Sequence, residues 1–91
     1  MIRTKKILIK GFVQGVGMRY FISHTAESNH ITGTVQNLYN GDVECIAQGT
    51  IDNLKQFVED IKLGHPGTID SLSVEEINTD TCYDQFEVKL F

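Results

Sequence analysis

Lys5–Ala26 reads KKILIKGFVQGVGMRYFISHTA, and the spacing of its apolar residues changes partway through. Ile7 and Ile9 alternate with Lys6, Leu8 and Lys10, a period of two with one apolar and one mixed face, which predicts a strand. Met18, Phe21, Ile22, Thr25 and Ala26 then fall at i, i+3, i+4, i+7 and i+8. That is the stripe of an amphipathic helix beginning near Gly17 and fading by Asn29. Between the two periods stand Gly11, Gly15 and Gly17. A strand therefore feeds a helix through a glycine-rich connection, and the rest of the chain must supply the surfaces both elements pack against.

Downstream, ITGTVQNL (Ile31–Leu38) and GDVECIAQ (Gly41–Gln48) read as two strands. Asn40-Gly41 between them is a dipeptide favoured where a tight hairpin turn needs positive φ, so the two should pair antiparallel. Thr50 is a good N-cap for a second helix, with Asp52 in its first turn and Ile51, Leu54, Phe57, Val58 and Ile61 along its inner face. Lys62, Gly64 and Pro66 should end it, as a cation at the C-terminal dipole, a left-handed cap and a helix stop. Alternation then predicts strands in TIDSLSVEEI, through Leu72 and Val74, and in DQFEVKLF, through Phe86, Val88 and Leu90. The order is strand, helix, strand, strand, helix, strand, strand. It predicts an α+β fold, a ferredoxin-like split βαββαβ sandwich with an antiparallel-type sheet, two helices on one face and an added fifth strand. The pattern does not say where that fifth strand joins.

With 91 residues, 41% of them hydrophobic, the chain suffices for one core of the kind that buries about 60–65% of its unfolded surface. A single domain over 1–91 is expected. No apolar run approaches the roughly 20 residues of a membrane span, and the start lacks the apolar block of a signal peptide, which predicts a soluble, cytoplasmic protein. Cys45 and Cys82 form no Cys-x-x-Cys pair, so zinc and dithiol chemistry lack support. Cys45 shares parity with Val43 and Ala47 and reads as a small core residue. The net charge of −4 argues against nucleic acid or an anionic membrane as partner. Yet Arg3, Lys5, Lys6, Lys10 and Arg19 all precede the first acid, Glu27, so the opening quarter is locally cationic.

A glycine-rich turn that closes a strand and opens a helix aims several unpaired backbone N–H groups at one spot, where the helix dipole also favours negative charge. Such a place suits phosphate. The segment lacks the lysine and hydroxyl of a Walker A loop, and glycines at 11, 15 and 17 do not match the dinucleotide fingerprint. What remains is a small cradle ending in Arg19. A guanidinium can give two parallel charge-assisted hydrogen bonds to phosphate oxygens, and it stays charged at physiological pH. Without an anion, a cation in the first helical turn opposes the dipole by about 0.3–1 kcal/mol. Asn37 shares parity with Gly33 and Val35 and should lie on the helix-covered face near the loop, although an Asn beside a hairpin often serves only its own backbone. His24, His30 and His65 show no catalytic or metal pairing.

GFVQGVGMR (Gly11–Arg19) resembles the G-x-V-Q-G-V-x-x-R signature of the acylphosphatases, small enzymes that cleave carboxyl–phosphate bonds. GTVQNLYNG (Gly33–Gly41) is similar to that family's G-x-V-x-N segment, and the GHPG turn at 64–67 and the closing QFEVKL are also family-like, so the resemblance covers almost the whole chain. Met18 departs from the aromatic residue usual there, and Thr34 from the tryptophan of many bacterial members. Both departures bear on packing more than on chemistry. The resemblance implies that Arg19 and the backbone of Gln14, Gly15, Val16, Gly17 and Met18 hold the phosphoryl group while Asn37 orients the attacking water. It implies a small-molecule acyl phosphate as substrate, inorganic phosphate as product, no cofactor or metal, and a monomer.

The chemistry asks for little more. Phosphoryl transfer needs positioning and electrostatic donors, and a carboxylate, with a pKa of about 4–5 in model groups, leaves without a general acid. An amide does not titrate and a guanidinium stays charged, so activity should vary little between mild acid and neutral pH. The rival from another class is a non-catalytic anion-binding or regulatory module on the same layout. An RNA-binding version would need surface aromatics and a basic face, and the acidic balance speaks against it. Similar domains also occur within hydrogenase maturation factors, acting on a carbamoyl phosphate-type substrate.

Overall fold

The computed structural model describes residues 1–90; Phe91, the last residue of the expected domain, lies outside the described residues. The elements follow the order read from the sequence: β1 Ile2–Phe12, α1 Met18–Ser28, β2 Thr32–Asn37, β3 Val43–Thr50, α2 Ile51–Gly64, β4 Thr68–Ile77 and β5 Phe86–Val88. They form one five-stranded sheet in the order β4-β1-β3-β2-β5. The strand pairs β1–β3, β1–β4 and β2–β3 are antiparallel.

The expected antiparallel-type sheet needs correction at its edge, because β5 lies parallel to β2, with Gly33 opposite Phe86 and Val35 opposite Val88. The chain leaves β4 at one edge and reaches the other through residues 78–85. Running back from that end of the sheet, β5 can only be parallel to its neighbour. One buried side chain holds this crossing. Gln48 Nε2 donates to Thr4 Oγ1 (3.0 Å) and to the Thr81 carbonyl (2.8 Å), and its Oε1 accepts from Tyr83 N–H (2.9 Å). An amide buried without such partners would be costly.

Strand register sorts the two faces. Ile7, Cys45 and Val35 stand in one row across β1, β3 and β2, and Ile9, Val43 and Asn37 in the next. These rows face the helices, and all but Asn37 are fully buried. Met18, Ile22 and Ala26 of α1 and Leu54, Phe57 and Ile61 of α2 close over them. Phe57 meets Phe86 of β5 edge to face at 6.4 Å, a favourable aromatic geometry. Burial raises the Cys45 thiol well above its ordinary range, as befits an unreactive core residue. On the opposite face Glu44 accepts from Gln36 (3.0 Å) and pairs with Lys6 (3.6 Å).

Three local expectations change. Thr50 caps α2 as anticipated, accepting from Asn53 N–H at 3.2 Å. Ile51, however, is 43% exposed and does not join Leu54, Phe57 and Ile61 on the buried face of α2. At the other end Gly64 remains helical and the cap is His65, in an extended conformation. Pro66 disfavours helical backbone in the residue before it, so no left-handed cap is needed there; the positive φ falls at Gly67 instead. Between β2 and β3 only Gly41 takes positive φ (98°), while Asn40 does not. The connection spans Leu38–Asp42, with Gly41 N–H bonded to the Leu38 carbonyl and Leu38 N–H to that of Asp42. A longer turn completed by a left-handed glycine therefore replaces the two-residue hairpin.

Two surface carboxylates lie below their ordinary pKa range. Glu76 is lowered by its hydrogen bonds to Lys5 (2.8 Å) and to Arg3, and Asp60 by those from Asn29 (3.0 Å) and Gln56 (2.7 Å). A carboxyl with a depressed folded-state pKa contributes stability that is present above its unfolded pKa and is lost as pH falls through the folded value. Urea midpoints should therefore decline below about pH 5, and Glu76→Gln should make that decline shallower. Glu76 is exposed and Asp60 only half-buried, so the expected effect is small.

Candidate active site

The connection from β1 to α1 is built around two left-handed glycines. Gly15 has φ 75° and Gly17 φ 82°, a backbone that side chains with a Cβ adopt at a cost. Gly17 is the N-cap of α1 and offers no side-chain oxygen, so the usual capping acceptor is absent. Backbone N–H groups from Gly15 to Tyr20 find no backbone acceptor among the described residues. Val16 turns its side chain inward, where a Cβ added at Gly67 would come within 2.9 Å of Val16 Cγ2. With Val13 and Met18 also buried, the loop is anchored by apolar side chains and presents backbone outward.

A cavity of about 110 Å³ lies at this point, lined by Val13, Gly15, Gly17, Met18, Arg19, Tyr20 and Asn37. Loop and helix start supply all of its wall except Asn37, which arrives from the end of β2. No acidic residue occupies the first turn of α1. Arg19, its second residue, donates from Nη1 to the Lys89 carbonyl at 2.7 Å, just past the end of β5. That bond holds one side of the guanidinium and leaves the remainder of its fork available. Its charge adds to the positive end of the helix dipole, so the local field favours an anion.

Of the residues singled out in the sequence, Gly15, Gly17, Met18, Arg19 and Asn37 share this cavity. The side chains of Gln14 and Val16 do not. Gln14 Nε2 instead donates to the carbonyls of Leu38 (2.7 Å) and Asp42 (2.9 Å), tying the loop to the hairpin that follows Asn37. Asp42, itself buried, is held further by Lys10 at 3.1 Å. Sequence reading assigned Gln14 a backbone role only and missed this strut. It also missed the Lys89 carbonyl, a main-chain atom with no signature in a side-chain pattern. Gln14→Leu should lower kcat about tenfold, since catalytic groups lose efficiency when displaced by a fraction of an ångström. Inhibition by inorganic phosphate should change far less, and steady-state kinetics measure both.

A second, open groove of about 420 Å³ also reaches Asn37, lined with it by Gln14, Gln36, Leu38, Tyr39 and Leu90. Among the described residues no cluster of three His, Cys, Asp or Glu side chains could hold a metal, and no helix is long and apolar enough to cross a membrane.

Residues 5–88 match the family model described as Acylphosphatase. The chain is 43% identical to the acylphosphatase of Vibrio vulnificus (strain CMCP6), over 96% of its own length and 97% of that protein's. Among solved structures it resembles the acylphosphatase from Bacillus subtilis, with a TM-score of 0.89 and 33% identity, covering 98% of this chain and 99% of that one. It is also similar to part of HypF from T. kodakarensis, with a TM-score of 0.89 and 28% identity, where it covers 100% of this chain and 12% of the larger one.

Proposed function

This chain belongs to the acylphosphatase family, and we propose that it hydrolyses acyl phosphates with the 14–19 loop holding the phosphoryl group and Asn37 orienting the water. The observation that carries the reading is the small cavity lined by Gly15, Gly17, Arg19 and Asn37. In it, backbone donors and a guanidinium surround a space that a strand-borne amide reaches from the sheet side. Water oxygen forms a bond to phosphorus as the bond from phosphorus to the acyl oxygen breaks. That electron pair leaves on the carboxylate, and the proton lost by water ends on inorganic phosphate. Charge spread over the equatorial oxygens meets donors already in place, which is the main source of catalysis in such transfers.

The leaving carboxylate is a weak base, so neither a general acid nor a metal is required to stabilise it. The enzyme acts as a metal-independent monomer in the cytoplasm, on a small molecule and without a nucleic-acid partner. The test is hydrolysis of benzoyl phosphate, followed by ultraviolet absorbance, in buffer containing EDTA. Turnover that is unaffected by the chelator is the expected result. An inert protein would instead be an anion-binding module on the same fold, and activity lost to EDTA and restored by a divalent ion would overturn metal independence.

A further inference from the structure

In-line attack requires the leaving group to stand opposite the water, and this geometry, together with the direction of each wall of the cavity, picks out one side chain. Asn37 enters from the sheet, in the row of Ile9 and Val43 that faces the helices. On α1, Met18 and Ile22 are buried against that sheet. Tyr20 lies two residues from each, about 200° around the helix at 100° per residue, so it points away from the sheet. It lines the cavity and is 58% exposed, and its hydroxyl makes no hydrogen bond within the described residues. A water held on the Asn37 side thus places the departing acyl group on the Tyr20 side.

We propose that Tyr20 is the acyl-group contact of this enzyme, an exposed aromatic face that favours flat, apolar acyl substituents. The inference rests on the hydrolase reading above. It also gives the larger groove beyond Asn37, with Leu38, Tyr39 and Leu90, no part in holding the acyl group. That groove is the roomier of the two, and the residue it shares with the cavity is Asn37, the proposed holder of the water.

The experiment compares kcat/KM for benzoyl phosphate and acetyl phosphate in the wild type and in Tyr20→Ala, Tyr20→Phe and Tyr39→Ala. Tyr20 and Tyr39 are both exposed, so the variants should fold, which circular dichroism checks. Tyr20→Ala should lower the benzoyl-to-acetyl ratio about three- to tenfold, the range expected for loss of one aromatic contact. Tyr20→Phe should retain the ratio, because the ring and not the hydroxyl makes the contact. A ratio unchanged in Tyr20→Ala overturns the proposal, as does a ratio that falls in Tyr39→Ala instead, which would put the acyl group over the groove. Wild type that turns over neither substrate removes the hydrolase reading and the contact with it, whereas turnover of both with the wrong ratio removes the contact alone.

Discussion

Arg19→Ala should lower kcat/KM for benzoyl phosphate by about 10²- to 10³-fold, the range seen when a principal transition-state donor is removed. The side chain is the sole cationic group lining the cavity among the described residues, and its guanidinium is already oriented by the Lys89 carbonyl at 2.7 Å. Preorganisation of that kind means little reorganisation remains to be done when charge develops on the phosphoryl oxygens. On the proposed reading the same fork binds ground-state phosphate, so KM and the inhibition constant of inorganic phosphate should rise as well. Arg19→Lys should recover only a small part of the loss, since an ammonium cannot give two parallel hydrogen bonds. Near wild-type activity in Arg19→Ala, with the fold intact, would remove Arg19 from the mechanism.

Asn37→Ala should separate the two halves of catalysis. Its kcat is expected to fall by about 10²-fold, the cost of losing control over the position of an attacking group. Inhibition by inorganic phosphate should stay within a factor of about three, because the loop, the helix terminus and Arg19 are untouched. Asn37→Asp is the more severe probe, since it keeps the shape but sets a negative charge beside an anionic substrate. A parallel rise in KM and in the phosphate inhibition constant for Asn37→Ala would mean that this amide binds phosphate and does not position water. Unfolding curves distinguish both outcomes from a folding defect, because Asn37 is half-buried at a strand end and makes no side-chain hydrogen bond among the described residues.

Much of this was legible in the sequence, and the particular residues show why. The switch from period two at Ile7 and Ile9 to period 3.6 at Met18 and Ile22 located β1, α1 and the loop between them, since burial of one face imposes those periods on any strand or helix. Parity alone put Asn37 on the face with Val35, and the register across β3 bears that out. The glycines at 15 and 17 marked the tight connection between β1 and α1, and the structure gives both positive φ. Less was legible where one residue's conformation depends on its successor, as at Gly64, which Pro66 spares from serving as the cap by restraining His65.

Periodicity and turn chemistry are local, and the chain's own residues determined the element order, the glycine-rich loop and the inner faces of strands and helices. What only the tertiary structure decided involves partners far apart in the chain. Gln48 reaches Thr81 and Tyr83 to carry the chain across to the far edge, where β5 joins parallel to β2. Gln14 reaches Leu38 and Asp42, and Arg19 reaches the carbonyl of Lys89, 70 residues away. Each is a hydrogen bond to a main-chain group, so the identity of that partner residue leaves no trace in its side chain. Such a contact exists only after burial of the apolar faces has brought the elements together.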